Sequence, residues 1–210
     1  MSYLKINQHR AVIDCDGVLL DFDRSFCKVA CDTLGRNVAK ACSAYSLDQR
    51  YGLSKAEFAR VWDAMDDHPS GWSGLEILPG AREAIHRLRG YGMEIHMVTG
   101  IESHRAQARL ENLALHGLEI DSLECVGNGT ASKADKVAKI APVMFVDDRL
   151  HLLHESPFVP DRVWIDHGDE QAGYVVTEEI IRSTSLLGWV EQWERLQAPS
   201  PSRSRHLRLV

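Results

Sequence analysis

Two aspartates one residue apart, Asp14 and Asp16, close the apolar run Ala11-Val12-Ile13 and are followed at once by Gly17. Such a run reads as a buried strand. Carboxylates at the end of a buried strand are costly unless their charge is used or compensated. A hard divalent cation compensates them well, because it prefers oxygen ligands. One carboxylate can then attack a phosphoryl group while its neighbour handles a proton. Further chemistry-bearing residues recur at the ends of later apolar runs. Thr99-Gly100 follows Met93 to Val98, and Asp147-Asp148 follows Val143-Met144-Phe145-Val146. Lys133 stands one residue after Ser132, a helix-capping type.

The elements that must position these residues are legible as a rhythm. Pro79-Gly80 breaks the chain, and Ala81 to Arg89 then reads as an amphipathic helix with Ala84, Ile85 and Leu88 inward. Gly90-Tyr91-Gly92 ends it before the strand from Met93. Ser103 to His116 is a helix stopped by Gly117, and Leu123 to Val126 is a short strand followed by the loop Gly127-Asn128-Gly129-Thr130. Ser132 starts a helix to Ile140, Pro142 stops it, and Arg162 to Ile165 reads as the last strand. This alternation predicts an α/β fold, a three-layer Rossmann-like parallel sheet with helices on both faces. Ligands of such sheets bind beyond the carboxyl ends of the strands. Asp14, Asp16, Thr99, Asp147 and Asp148 are then delivered to one edge, with Lys133 in the first turn of a helix that opens there. The convergence of four separate segments carries the argument, since a lone Asp-x-Asp is common.

Residues 22–77 break the rhythm. Ser25 to Leu34 and Ser54 to Met65 read as helices, the second opened by the capping-box pattern Ser54-Lys55-Ala56-Glu57, and no strand is convincing. The expected division is therefore an α/β core from 1–21 and 78–196 with a small helical insertion, 22–77, after the first strand. Residues 197–210 mix Pro, Ser and Arg with little to bury and read as a disordered tail. The chain has 210 residues, 44% of them hydrophobic, with a formal net charge of -6. That acidity provides no global field for a nucleic acid polymer. No leader pattern opens the chain and no apolar run is long enough to span a bilayer, so neither a membrane nor a secretory route is expected. Cys15, Cys27, Cys31, Cys42 and Cys125 form no CxxC pair, which fits a reducing, cytoplasmic compartment. The ten histidines form no HxH or HExxH pattern.

The segments Asp14-Cys15-Asp16-Gly17-Val18, Val98-Thr99-Gly100, Lys133 and Val146-Asp147-Asp148 resemble the four ordered motifs of the haloacid dehalogenase superfamily. The resemblance covers roughly residues 9–166, with the helical insertion where that superfamily places a small cap. It implies a Mg²⁺-dependent phosphomonoester hydrolase acting on a small phosphorylated metabolite. Asp14 would be the nucleophile that forms an aspartyl-phosphate and Asp16 the acid and base. Thr99 and Gly100 would hold phosphoryl oxygens, and Lys133 would neutralise charge. Asp14, Asp16 through its carbonyl, Asp147 and Asp148 would hold the metal. A dehalogenase would lack the second acid, Asp16. A phosphomutase acting on a sugar phosphate, or a non-catalytic module on the same fold, are the alternatives.

Several residues keep plainer readings. Thr99 alone is a helix-capping type. Lys136 and Lys139 share a helix with Lys133 and are either solvated charges or the site lysine. Asp21 and Asp23 read as surface acids at the start of the insertion. Trp62 and Trp72, with Asp66, Asp67 and His68 between, could stack on a nucleobase but more often belong to the core of such a cap. Leu78-Pro79-Gly80-Ala81, Asp147-Asp148-Arg149 and the late Trp189 resemble the 5′(3′)-deoxyribonucleotidase branch, which implies a nucleoside monophosphate as substrate.

Overall fold

The computed structural model describes residues 7–127 and 132–197. Six strands, β1 (Asn7–Ile13), β2 (Glu94–Thr99), β3 (Ser122–Cys125), β4 (Pro142–Asp147), β5 (Asp161–Ile165) and β6 (Ile180–Ser183), form one sheet in the order β3-β2-β1-β4-β5-β6. Every neighbouring pair is parallel. The strand order reverses at the β1–β4 pair, so the crevice between their carboxyl ends is the topological switch point.

Both faces of the sheet are covered, which explains the near-continuous apolar runs. Alternation along β1 sends Ala11 and Ile13 into one core and Val12 into the other. The larger core takes the inner faces of α4 (Ala81–Gly90) and α8 (Leu186–Gln197), with Ile85, Leu88, Trp189 and Trp193 among its members. Trp189 is a core residue whose Nε1 meets Met144 Sδ at 3.3 Å. The smaller core is filled by Val137 of α6 (Lys133–Ile140) and by Leu150 and Leu153 of α7 (Leu150–His154).

Local chemistry sets the boundaries of α6. Ser132 Oγ accepts from Asp135 N at 3.0 Å while Asp135 Oδ2 accepts from Ser132 N at 3.4 Å, a reciprocal capping box. The helix ends at Ala141 with φ 52°, and Pro142, which cannot continue it, opens β4.

The insertion is helical as expected: α1 (Phe22–Leu34), α2 (Leu47–Arg50) and α3 (Lys55–Ala64). The Ser54–Glu57 capping box opens α3. The insertion returns beside its point of departure. Leu20 bridges Ile77, Asp21 N donates to Glu76 O at 2.8 Å and Leu78 N donates to Leu19 O at 2.8 Å. This two-stranded neck makes the insertion a cap mounted at the edge where β1 ends.

Some expectations need correction. Arg162–Ile165 is not the last strand, because β6 follows it across a loop of fourteen residues, 166–179. Its two isoleucines were too short an apolar run to read as a strand. The helix expected from Ser103 begins as a single 3₁₀ turn, Ser103–Arg105, before α5 (Ala106–Leu115). Gln197, placed in the tail, is the last residue of α8. The rest of the tail and residues 128–130 of the expected loop lie outside the described residues. Among the described residues, no helix is long and apolar enough to cross a membrane.

Candidate active site

At the switch point, Asp14 N donates to Val146 O at 3.0 Å and so holds Asp14 level with the end of β4. Ile13 pairs with Val146, which puts Asp14 beside Asp147. Lys133 enters from the first turn of α6. Its Nζ lies 2.9 Å from Asp14 Oδ1 and 2.7 Å from Asp147 Oδ2, with all three side chains buried. Lys136 turns away to Glu124, 2.6 Å distant on β3. Asp147 Oδ1 accepts from Arg149 N at 2.9 Å, so both of its oxygens are fixed.

Asp14, Asp147 and Asp148 each bring a carboxylate oxygen within 4.8 Å of the others. Asp16, expected to offer the metal its main-chain carbonyl, turns its side chain to Arg109, whose Nη2 donates to its two oxygens at 2.7 and 2.9 Å. Only the main-chain carbonyl of Asp16 is left for a cation. Gly17 is fixed by the cluster from behind. Its φ is +76°, and a Cβ there would lie 2.6 Å from Asp148 Oδ2.

The electrostatics follow from crowding acids where protein packs closely around them. Burial pushes Asp147 up to about 6 against the pull of Lys133. Burial, then the charges of Asp147 and Asp14, raises Asp148 well above the usual carboxylate range. Burial works against a charged Lys133, yet Asp14 and Asp147 outweigh it and raise the ammonium further. Burial also raises Asp16 despite Arg109. Three carboxylates around one ammonium leave excess negative charge, and their oxygens are the donors a hard cation prefers. A Mg²⁺ ion would be held by Asp14, Asp147 and Asp148.

Thr99 ends β2 on the same edge, almost fully buried, with no hydrogen-bond partner for its Oγ1 among the described residues. Asp14 Oδ1 keeps its ion pair with Lys133 but likewise has no directed hydrogen bond. Both residues line a cavity of about 830 Å³ that also takes in Asp16, Gly100, Lys133 and Asp148. Its volume suits a small metabolite.

The cap forms the far wall. Phe22, Tyr45, Trp62 and Trp72 line it. Trp72 is buried and meets Trp62 edge-on at 5.3 Å, so the two tryptophans are cap core and cavity wall at once. Arg105 reaches from the core between them, its Cζ 4.9 Å from the Trp72 ring, and makes a two-nitrogen pair with Asp66 at 2.6 and 3.0 Å. Asp21 and Asp23 are more than surface acids. Asp21 caps α1 through Arg24 N, and Asp23 pairs with Arg50 at 3.1 Å. Asp169, from the loop after β5, pairs with Arg50 at 3.1 Å and with Lys40.

Arg105, Arg109 and Asp169 escaped the sequence reading. Each is a single charge on a helix or loop, where solvent exposure is the default. The one available signal was the spacing Arg105, Arg109, Asn112, His116, which puts four polar residues on one helical face.

The sequence matches no family model, and no curated protein sequence matches it. Solved structures do match. A haloacid dehalogenase-like family hydrolase from Streptococcus pneumoniae has a TM-score of 0.61 at 14% identity, over 89% of this chain and 98% of that one. A protein assigned provisionally as a beta-phosphoglucomutase from Thermotoga maritima has a TM-score of 0.58 at 13% identity, over 90% and 100%. One assigned provisionally as a phosphatase from Clostridium difficile has a TM-score of 0.58 at 13% identity, over 85% and 95%. Dehalogenases are also among the matches. At these identities the likeness is one of fold: the chain has the haloacid dehalogenase-like architecture, an α/β core with a helical cap.

Proposed function

We propose that this protein is a Mg²⁺-dependent phosphomonoester hydrolase that works through an aspartyl-phosphate on Asp14. One observation carries the reading: Thr99, whose buried Oγ1 has no hydrogen-bond partner among the described residues, and Asp14, whose Oδ1 has only the Lys133 ion pair there, line the cavity beside an ammonium and three clustered carboxylates. A buried hydroxyl without a partner calls for one, and a phosphoryl group offers Thr99 an acceptor oxygen and Asp14 an electrophile.

In the first step Asp14 attacks phosphorus, the ester P–O bond breaks and its electron pair leaves on the alcohol oxygen. Asp16 gives that oxygen a proton. In the second step Asp16 takes a proton from water as the water oxygen bonds to phosphorus. The P–O bond to Asp14 breaks, and inorganic phosphate is released. Thr99 and the Gly100 main chain hold phosphoryl oxygens, and Lys133 balances charge on Asp14 and the transferring group. A bound Mg²⁺ supplies charge neutralisation at the phosphoryl oxygens. The Asp16 carboxyl favours this chemistry over dehalogenation, which needs no second acid. Among phosphate esters we favour a nucleoside monophosphate, because the aromatic side chains Trp62, Phe22 and Tyr45 line the same cavity as the acids.

Phosphate release from a panel of esters, with Mg²⁺ and with a chelator, tests the reading. Turnover is expected only with the metal, and Asp14→Asn is expected to lose at least about a thousandfold. Interconversion of a sugar phosphate without phosphate release would instead make the protein a phosphomutase, and full activity in Asp14→Asn would end the aspartyl-phosphate mechanism.

A further inference from the structure

We propose that Arg109 is a positioning residue that aims the Asp16 carboxylate, and through it sets how well the site expels a leaving group that needs a proton. The inference rests on the reading of Asp16 as the acid and base.

Arg109 lies on α5 with none of its side chain exposed. It is not among the residues lining the cavity, whereas Asp16 is, with 22% of its side chain open. Arg109 therefore makes no contact with a substrate in the cavity, and its one side-chain ion pair among the described residues is with Asp16. The contact uses one nitrogen, Nη2, for both carboxylate oxygens. Nε and Nη1 are buried without a hydrogen bond among the described residues. A buried guanidinium with two unsatisfied nitrogens is a poor device for stability, since an apolar side chain of similar volume would pack there without desolvating a charge. As a device for orientation it is well made. No other cation pairs with the Asp16 carboxylate among the described residues: Lys133 is engaged by Asp14 and Asp147.

Arg109 is also fixed from the cap side. Its Cζ sits 5.8 Å from the Trp72 ring. One turn along, Asn112 Nδ2 donates to Ser73 O at 3.1 Å and Leu75 O at 2.9 Å. One turn before, Arg105 pairs with Asp66. Arg105, at the end of the 3₁₀ turn, and the polar face of α5 that continues it thus grip the return segment of the cap and the acid of the first motif together.

The chemistry makes the role measurable. When the ester P–O bond breaks, an alkoxide must receive a proton, while nitrophenolate leaves without one. Misaiming Asp16 therefore penalises alkyl phosphates selectively. The test compares kcat/KM for an alkyl phosphate and for p-nitrophenyl phosphate in the full-length protein with Mg²⁺. Arg109→Met is expected to lower the alkyl rate at least about tenfold more than the nitrophenyl rate. Arg109→Lys keeps the buried charge, serves as the second variant should Arg109→Met fail to fold, and is expected to show the same preference at smaller amplitude. In an Asp16→Asn background neither substitution should move the ratio further. Equal losses on both esters, no loss on either, or a further change in the Asp16→Asn background would overturn the proposal. Absence of phosphate release from both esters in the unaltered protein would remove the phosphatase reading and this inference with it. Normal turnover with an unchanged ratio would remove the inference alone.

Discussion

Lys133 holds two buried carboxylates at once, 2.9 Å from Asp14 and 2.7 Å from Asp147. Removing one partner of a buried ionic cluster leaves the others uncompensated, at a cost of about 3–5 kcal/mol. Lys133→Met is therefore expected to lose both turnover and stability, with added Mg²⁺ recovering part of the stability by neutralising the same acids. Thermal melts with and without Mg²⁺ check this. Lys136→Ala removes only a pair with half-exposed Glu124 and should change stability by less than about 1 kcal/mol, with turnover intact. Gly17 gives a second test. A methyl there meets Asp148 Oδ2 at 2.6 Å on a backbone with φ +76°. Gly17→Ala is expected to weaken Mg²⁺ binding, read by calorimetry, and to cost about 1 kcal/mol or more. The acids of the site were legible in the sequence because each ends an apolar run that fixes where it goes. Lys133 was legible once Ser132 marked the start of its helix. Arg109 was not, because nothing in Ala-Arg-Leu distinguishes an arginine turned inward from one in solvent.

Elements were read best where their signals are local. The capping box of α3 follows from Ser54 and Glu57 alone: Ser54 N donates to Glu57 Oε2 at 2.9 Å, and Ser54 Oγ accepts from Glu57 N at 3.3 Å. Ser54→Ala should cost about 1 kcal/mol, a fall of about 2–4 °C in Tm for a chain of this size. Glu57 also answers to pH. The Arg36 hydrogen bond, then the Ser54 main chain and hydroxyl, lower its pKa to about 2 from 4.5. A carboxyl depressed in the folded state stabilises above its unfolded value and stops doing so as pH falls through its folded value. The stability gap between the unaltered protein and Glu57→Gln should thus be full at neutral pH and close between about 4.5 and about 2, as urea midpoints would record. Elements defined by distant partners were harder to read. β6 is a strand because β5 offers it an edge, Arg162 to Ile180 through Ile165 to Ser183. The roles of Arg105 and Asn112 were not legible because their partners, Asp66 and the carbonyls of Ser73 and Leu75, come from another part of the chain.

At the scale of the molecule, the cap is mounted on a two-stranded neck and held down at points around its rim. Asp66 pairs with Arg105, Asp169 pairs with Arg50 and Lys40, Glu170 N donates to Ser43 O at 2.7 Å, and Arg149 Nη1 donates to Tyr45 Oη at 2.9 Å. The insertion could be placed from the sequence by its lack of strands. Its closure could not, because each clasp joins lone polar groups far apart in the chain, Asp66 and Arg105 being 39 positions apart. The clasps differ in burial, and burial ranks them. Asp66 is 40% exposed, so water reaches its side of the pair, and Arg105, itself 8% exposed, keeps the Trp62 and Trp72 rings when the acid is lost; losing the pair is expected to be worth about 1 kcal/mol, or roughly fivefold in the opening equilibrium. Asp169 and Arg50 are only 10% and 12% exposed. Asp169→Asn strands Arg50 in a poorly solvated place with Asp23 as its remaining acid, which costs more than an exposed pair does. Amide hydrogen exchange over residues 66–77 is therefore expected to speed up in both variants, and more in Asp169→Asn than in Asp66→Asn. KM for a bound ester should rise in the same order, because a substrate enclosed by the cap binds the closed form and pays for any shift toward the open one. The reverse order would mean that the tryptophan-lined Arg105 contact, rather than the loop after β5, carries the closure.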